Sequence, residues 1–441
     1  MKKLLLTTAL MLGLTAPAIA NDRPAPKWDF QGKYLIVASD ADMLATAYEN
    51  GRLGPRVGND KLTVIPLNTA PQNYEAFAVD ASNSVAGPPS VFDVTPDGKT
   101  AFVIETFAPR PGQSDEETFA DLKFGTKLTM IDLSNPKEPK QVRTIDIPER
   151  PTSVNVNHNG TLLAISYHQK GAGKETPLII YRINGQNVTQ VAAPTLDGWD
   201  FTHEMMDVSW HPTKNILGVI NASDATVRFL EVSRNGKTVE QWGNVISIGK
   251  KPFIGRFTKD GKHFLVNNVY WGSDVKSYWS SAPRGTIVNI HLEHFEKDGQ
   301  PVHSMTSQML VGASPESFAV SPDGRYVAAI NMERSWLTYD DERRTWFSSI
   351  TLIERDPKTG AMTELHTTPY YAVLPEMAVF DASSQYLAVV AYDQFDHGEV
   401  EGSVDFFKLV HDPLDKNRKM LAQTRYSVPV QRGAHDMVVV D

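Results

Sequence analysis

The stretch SPESFAVSPDGRYVAAI, residues 314–330, contains the pattern that decides the fold. Apolar residues alternate on both sides of its Pro-Asp-Gly segment, which predicts two short strands joined by a tight turn, because Asp-Gly favours the backbone conformation that closes a hairpin. Five further stretches show the same strand–turn–strand pattern. They are residues 88–104, 150–166, 202–220, 251–267 and 374–390.

The six copies recur at intervals of 46 to 63 residues when they are aligned on one turn residue each. These turn residues are Gly98, Gly160, Asn215, Gly261, Gly324 and Ser384. Short strands that repeat at this period are typical of β-propeller blades, and alternating apolar segments between the copies supply the outer strands. No segment of ten or more residues beyond the N-terminal twenty shows a helical period. We therefore expect an all-β, seven-bladed propeller with four strands in each blade.

A seventh copy is divided between the two ends of the chain. Residues 434–441, AHDMVVVD, match the first strand of a copy, and residues 29–39, DFQGKYLIVAS, match its turn and second strand. Pairing of these two segments would close the ring and remove the sheet edges that otherwise recruit other chains.

The first twenty residues have the features of a signal peptide. Lys2 and Lys3 precede an apolar run at residues 4–14, and small residues at 18–20 form a cleavage site. The apolar run is too short to span a bilayer as a helix. The sequence predicts a signal peptide at 1–20, a single propeller domain at 21–441 and a periplasmic protein, with secretion as the alternative.

The composition excludes several classes of chemistry. The chain has no cysteine, which rules out disulfides, cysteine-ligated zinc, covalent c-type haem and a cysteine nucleophile. The formal net charge is −9 and there is no run of basic residues, which argues against nucleic acid as a partner. Neither observation indicates an oligomeric state.

The repeat resembles that of the seven-bladed lactonase-like, or YVTN-repeat, propellers. Residues 314–330 are closest to the repeat unit of that family, and Trp210-His211-Pro212 is similar to its Phe-His-Pro variant. The resemblance covers nearly all of the chain after residue 20. It implies the fold strongly and the function weakly, because the matching residues are structural and the family includes gluconolactone hydrolases, amine dehydrogenase subunits and binding proteins.

The start of each innermost strand predicts a candidate site, because these positions surround one solvated mouth of the channel. Counted back from the turn residues, four acids fall at one level of the ring: Glu204, Glu316, Glu376 and Asp436. His203 and His435 precede two of them. Converging carboxylates either bind protons or share a cation, so the four acids are candidate ligands for calcium, magnesium or zinc. The alternative is that they face bulk water or bond to neighbouring blades.

Two long segments between second and third strands, residues 270–284 and 332–347 in the fifth and sixth blades, predict a second group of binding residues on the same face. The group combines aromatic rings with arginines: Trp271, Trp279, Arg284, Trp336, Arg343, Arg344 and Trp346. Such a combination binds sugars, aromatic acids or a partner protein. The alternative is that the rings pack together as a local core.

These features favour a periplasmic propeller that binds a small ligand or a partner protein at this face. The first alternative is a lactonase-like hydrolase that uses a ring carboxylate or a bound divalent cation. Its candidate catalytic residues are His203, Glu204, His435 and Asp436. The second alternative is a scaffold subunit of a periplasmic oxidoreductase.

Overall fold

The structure is a computed structural model that describes residues 28–83, 90–112, 114–194, 205–249, 251–270, 283–297, 299–393 and 401–441. Seven antiparallel sheets form a ring around a central channel. We number the blades 1 to 7 in chain order, and blade 1 is the one that contains both ends of the chain. This architecture confirms the predicted seven-bladed propeller. The predicted signal peptide lies outside the described residues.

Strands are given from the channel outward. Blade 1 contains Ala434–Val440, Tyr34–Ser39, Lys61–Pro66 and Phe77–Asp80. Blade 2 contains Phe92–Val94, Thr100–Ile104, Lys127–Asp132 and Lys140–Asp146. Blade 3 contains Pro151–Val156, Leu162–Tyr167, Leu178–Asn184 and Asn187–Ala192. Blade 4 contains Met205–Trp210, Ile216–Asn221, Thr226–Val232 and Val239–Gln241, with the short strand Ile246–Ser247 also paired to its third strand.

The remaining blades have longer outer strands. Blade 5 contains Pro252–Phe257, His263–Asn268, Arg284–Lys297 and Gln300–Ala313. Blade 6 contains Pro315–Val320, Tyr326–Asn331, Ser348–Arg355 and Met362–Tyr370. Blade 7 contains Val373–Phe380, Tyr386–Asp393, Glu401–His411 and Lys419–Gln431.

The two ends of the chain pair as the split repeat predicts. Tyr34 lies opposite Val440 and Ile36 lies opposite Val438 in an antiparallel ladder. The N–H of Lys33 extends this ladder by donating to the carbonyl of Val440 at 2.7 Å. Blade 1 therefore closes the ring with one strand from the C-terminus and three from the N-terminal part of the chain.

The hairpin turns at the inner edge of the blades have the backbone that their sequence predicts. Gly98, Gly324 and Ser384 have φ of 73°, 72° and 60°, which is the left-handed conformation that glycine adopts at no steric cost. The second strands that follow are buried on both faces, because each blade packs between two neighbours. Ile36, for example, belongs to one apolar cluster that spans blades 1 to 3.

Helical structure in the described residues is short and lies between strands. An α-helix covers Ala47–Asn50, and 3-10 turns cover Pro71–Asn73, Phe119–Asp121 and Ala172–Lys174. Within these ranges, no helix has the length and apolar character needed to cross a membrane.

Candidate functional site

Three neighbouring blades present a glutamate, a glutamate and a histidine at one equivalent position. In blade 6, Pro315 lies opposite the last residue of the second strand, and Ala434 has the same place in blade 1. The next residue is Glu316 in blade 6 and His435 in blade 1, and the corresponding residue of blade 7 is Glu376. Packing between the inner strands places blades 6, 7 and 1 side by side.

This register corrects the predicted position of Asp436. Asp436 lies opposite Ala38 just as Ser317 lies opposite Ile330, so it is one residue further along the channel than Glu316. Consecutive residues of a strand point to opposite faces, so a shift of one residue changes what a side chain meets. In blade 1, His435 and not Asp436 therefore lies at the same level as Glu316 and Glu376.

A second correction concerns blade 4. The N–H of His211 donates to the carbonyl of Ile216 at 2.8 Å, as that of Ser321 donates to the carbonyl of Tyr326 in blade 6. Counting back five residues from each donor places Met206 at the position of Glu316. The predicted alignment on Asn215 was therefore displaced, and Glu204 is not equivalent to Glu316. His203 and Glu204 themselves lie outside the described residues.

Glu316 and Glu376 are fully buried and do not lie at a solvated mouth. Among the described residues, no donor bonds to either oxygen of either carboxyl group. Burial raises the pKa of Glu316 well above its usual value. Burial also raises the pKa of Glu376, and the negative charges of Glu316, Asp40 and Asp436 raise it further. An ionised carboxylate in this setting needs a proton or a cation to compensate its charge.

His435 is a neutral base at the equivalent position of blade 1. Its Nδ1 lies 2.8 Å from the carbonyl of Gly433, and a carbonyl only accepts, so Nδ1 carries the proton. Nε2 therefore keeps its lone pair, and no described residue bonds to it. Burial lowers the pKa of His435 to about 4, so the ring is uncharged at neutral pH. An imidazole nitrogen in this state can bind a metal ion or accept a proton.

A cap from blades 1, 2, 6 and 7 covers Glu316 and Glu376, and we call the buried region around Glu316, Glu376 and His435 the chamber. Blade 1 contributes Tyr48, whose pKa is raised by burial and then by the charges of Glu376 and Glu316 beneath it. Blade 7 holds the cap through Tyr392, whose hydroxyl donates to the carbonyl of Met43 at 3.0 Å. Apolar side chains fill the cap: Met43, Ala45, Ala47, Leu53, Phe107, Leu122, Met332, Trp336, Leu337, Val373, Leu374 and Tyr392.

Three buried aspartates fix the blade 1 part of this cap. In the described residues, Asp40, Asp42 and Asp60 form the one group of three whose possible metal ligands all lie within 4.8 Å of one another. Their oxygens accept backbone N–H groups, with Ala41 donating to Asp60 at 3.0 Å and Arg110 donating to Asp42 at 3.0 Å. Through these bonds the three aspartates hold the loop in place.

The channel on the other side of the chamber contains a cavity of about 390 Å³. Its charged lining includes Asp93, Asp207, Asp436 and Arg256. Arg256 pairs with Asp207 at 2.7 Å, and its positive charge also acts on Asp93 and Asp436. Burial raises the pKa of Asp93 to about 6 and that of Asp436 to about 7, despite bonds from backbone N–H groups to both.

The predicted aromatic and arginine residues do not form one site. Trp336 is buried in the cap. Arg343 pairs with Asp341 and, at 3.4 Å, with Glu49 of the α-helix Ala47–Asn50, which we call the cap helix. Arg284 pairs with Glu364 of the blade 6 edge at 4.0 Å. Trp271 and Trp279 lie outside the described residues.

One part of this group does form an exposed aromatic surface. The guanidinium of Arg344 lies 4.0 Å from the ring centre of Tyr339 and 5.4 Å from that of Trp346. Trp346 and the adjacent Phe347 are each 52% exposed, and Tyr371 beside them is 50% exposed. Half-exposed rings of this kind can contact another molecule through their exposed faces.

We expect the two tryptophans of the blade 6 loop to differ sharply in their effect on stability. Trp336→Ala should lower the free energy of unfolding by about 3–5 kcal/mol, because it leaves a cavity in the cap. Trp346→Ala, its exposed control, should change it by less than about 0.5 kcal/mol. Urea unfolding of the two variants measures this difference. Equal losses would show that Trp346 also belongs to a structural core.

The raised pKa values of Asp436, Glu316 and Glu376 predict how the stability of the protein depends on pH after metal ions have been removed by a chelator. Asp436, with a pKa of about 7, and the two glutamates remain protonated in the folded chain at pH values where the unfolded chain has lost those protons. The free energy of unfolding should therefore fall as pH rises from 6.5 to 8, by up to about 1.4 kcal/mol per pH unit for each group still protonated. His435 does not oppose this fall, because the histidine contribution changes only between its folded value of about 4 and its usual 6.5. Urea unfolding at the two pH values checks the sign, and a rise in stability would contradict it.

Known proteins match this chain in fold. No protein-family profile matches, and no curated protein matches its sequence significantly. The periplasmic gluconolactonase of Pseudomonas aeruginosa is 13% identical with a TM-score of 0.58, over 92% of this chain and 99% of that chain. A hypothetical selenium-binding protein from Sulfolobus tokodaii is 12% identical with a TM-score of 0.59, over 94% of each chain. A protein from Lactobacillus plantarum is 9% identical with a TM-score of 0.60, over 93% of this chain and 100% of that chain.

The class that these matches define is the β-propeller, and this chain has seven blades. The resemblance predicted from the repeat is thus confirmed for the fold. At identities this low, the likeness assigns no activity.

Sequence reasoning missed the cap and two of its residues, Tyr48 and Tyr392. The available signal was the length of the segment between Ser39 and Lys61, which is too long for a plain connection between strands. Long segments of this kind in propellers cover one end of the channel, but nothing in the local sequence shows what they cover.

Proposed function

We propose that the protein is a periplasmic ligand-binding propeller whose site is the buried chamber, and that a divalent cation held by Glu316, Glu376 and His435 completes the site. The signal-peptide pattern of residues 1–20 and the periplasmic protein among the structural neighbours support the compartment. The exposed aromatic surface around Trp346 offers a separate place for a partner protein.

The observation that carries this proposal is the state of the two glutamates. Both carboxyl groups are fully buried, and in the described part of the chain no hydrogen-bond donor serves either of them. No arginine, lysine or protonated histidine is among the groups that shift their pKa. A cation would compensate these charges and supply the missing bonds at once.

The donor set indicates the kind of ion. Two carboxylates with one neutral imidazole suit zinc or manganese better than calcium, which prefers oxygen ligands only. The three side chains are not all within 4.8 Å of one another, since that condition holds for the cap aspartates alone in the described residues. Binding of an ion would therefore draw them together. A cation in the chamber would attract an oxygen atom of a ligand and orient it.

A lactonase-like hydrolase is the second candidate, and His435 favours it. Nε2 of His435 keeps its lone pair, and glutamates of raised pKa occupy the equivalent positions of blades 6 and 7, so a base and two acids lie at one level of the ring. Such groups can accept a proton from water and return one to a leaving oxygen. Hydrolysis of gluconolactones by the wild-type protein, lost in His435→Gln, would establish this candidate.

Titration of Mn²⁺ into chelator-treated protein tests the proposed site. We expect one ion per chain in the wild-type protein at pH 7.5 and none in the variant with Glu316→Gln and Glu376→Gln. The matched control is Glu364→Gln, which removes a half-exposed acid of blade 6 and should leave the stoichiometry at one. Equal binding by all three proteins would place the ion elsewhere.

A further inference from the structure

We infer that the divalent cation reaches the buried chamber through the central channel, from the end opposite the cap, and that Asp93 and Asp436 conduct it inward. This inference rests on the proposed cation site. It assigns the channel a function of its own, as a selective path for small cations, and it distinguishes the two ends of the ring.

The cap offers no open way in. Tyr48 is packed above the glutamates. The cap helix is held from blade 6, because the N–H of Thr338 donates to Glu49 at 2.8 Å.

Blade 2 holds the same cap segment from the other side. The N–H of Phe119 donates to the carbonyl of Gly51 at 3.0 Å, and the N–H of Leu53 donates to the carbonyl of Glu117 at 2.8 Å. Arg110, whose side chain is buried, donates to the carbonyls of Asp42 and Gly54 at 2.8 and 2.6 Å. An ion that entered on this side would have to break several of these bonds.

The channel, in contrast, is open at the end where hairpins join the first and second strands of the blades, which we call the hairpin end. The cavity of about 390 Å³ reaches Lys259 and Asp441, whose side chains are 64% and 57% exposed at that end. The same cavity is lined deeper in the ring by Asp436, the residue next to His435. A hydrated ion therefore meets no cap on this side.

The described lining of the cavity has both signs of charge: Asp93, Asp207, Asp436 and Asp441 are acids, and Lys259 and Arg256 are cations. Asp93 and Asp436 lie near enough for the charge of one to raise the pKa of the other, and Asp436 acts in the same way on Glu376. Glu376 in turn interacts with Glu316. Asp93 and Asp436 line the cavity, and the two glutamates lie beyond its described lining. Low-dielectric walls strengthen the field of Asp93, which has a pKa of about 6 and is ionised at pH 7.5, and so raise the local concentration of cations.

Arg256 is the one arginine in the described lining, and its charge lowers the pKa of both Asp93 and Asp436. Its guanidinium is in contact with Asp207 at 2.7 Å, and Asp207 also accepts the hydroxyl of Ser153 at 2.8 Å. In the described residues, Asp93 accepts hydrogen bonds from uncharged groups, among them the side-chain amide of Asn155 at 2.7 Å, so the arginine does not pair with it directly.

Rapid mixing of Mn²⁺ with chelator-treated protein, with free Mn²⁺ followed by its spin-resonance signal, tests this route. Ala319 lines the cavity, so Ala319→Phe should obstruct it and slow uptake at least tenfold while the final stoichiometry stays at one ion per chain. Asp93→Asn keeps the shape of the channel and should slow uptake severalfold. Asp97→Asn is the control, because it removes an exposed acid from the hairpin end of blade 2 outside the cavity, and its rate should equal that of the wild type.

Each outcome decides the inference. Wild-type uptake rates in both Ala319→Phe and Asp93→Asn would overturn it, and if circular dichroism shows that Ala319→Phe does not fold, Asp93→Asn decides alone. Glu49→Gln, which weakens the cap, should leave the rate unchanged, and faster uptake in that variant would show that the ion passes the cap instead. If the wild-type protein binds no Mn²⁺ at equilibrium, the proposed cation site fails, and the route fails with it. Binding at equilibrium with no effect of the channel variants overturns the route only.

Discussion

Deletion of residues 434–441 is expected to abolish cooperative unfolding of the protein. These residues provide the innermost strand of blade 1, which pairs with Tyr34–Ser39 and packs against blades 7 and 2. Ala434, His435 and Met437 of this strand are buried. The deletion opens the ring at its narrowest point and exposes an unpaired sheet edge, so the product should aggregate.

Calorimetry and light scattering of the truncated protein measure both effects. A peptide of residues 432–441, added in trans, should restore a cooperative transition by filling the vacant strand, since an extended peptide can pair with an open edge. A peptide with Val438→Pro is the control, because proline cannot donate to the ladder. A truncated protein that stays monomeric and melts as the wild type does would refute the closure of the ring by this strand.

Chelation should destabilise the wild-type protein and leave the Glu316→Gln, Glu376→Gln variant unaffected. An ion that binds only the folded state stabilises it by about 2.7 kcal/mol at a hundredfold excess over its dissociation constant. Removal of the ion from the wild type withdraws this energy and leaves two carboxyl groups that must hold protons in a buried chamber. The double variant has neither the ion nor the buried charges, so its melting temperature should not respond to chelator.

The control for this experiment is again Glu364→Gln, which should respond to chelator as the wild type does. Zinc or manganese added back in excess should restore the wild-type melting temperature and have no effect on the double variant. If the wild type is indifferent to chelator, the glutamates hold protons at neutral pH, and the chamber binds an uncharged ligand without an ion.

The fold could be predicted from the sequence because its signals are local. A turn such as Pro322-Asp323-Gly324 fixes a hairpin within a few residues, and the strands beside it alternate with the period of a half-buried or buried strand. Closure of the ring by residues 434–441 followed from the same pattern, because an incomplete repeat at each end of the chain has only one partner.

The candidate site could be predicted only in part, because it depends on register to within one residue. Glu316 and Glu376 each follow the proline of the repeat, and strand pairing shows them at equivalent positions of blades 6 and 7. His435 has no proline before it and Met206 lies in a copy with a different turn sequence, so both of their positions required the observed strand pairing. The sequence of the repeat does not indicate these two differences in strand register.

Burial of the site could not be predicted for a different reason. Tyr48 covers the glutamates through contacts between segments that are far apart in the chain, such as the bond between Thr338 and Glu49. The same holds for Trp336, which a sequence pattern cannot distinguish from Trp346, although one is 6% and the other 52% exposed. Long-range packing of irregular segments decides both cases.

The central claim is that Glu316, Glu376 and His435 bind one divalent cation, and anomalous X-ray diffraction from crystals soaked in MnCl₂ tests it most directly. The account predicts one strong anomalous peak in the chamber, within ligand distance of a carboxylate oxygen of each glutamate and of Nε2 of His435, and no peak there in the double glutamine variant. A chamber without a peak, or an ion bound only among Asp40, Asp42 and Asp60, would contradict it.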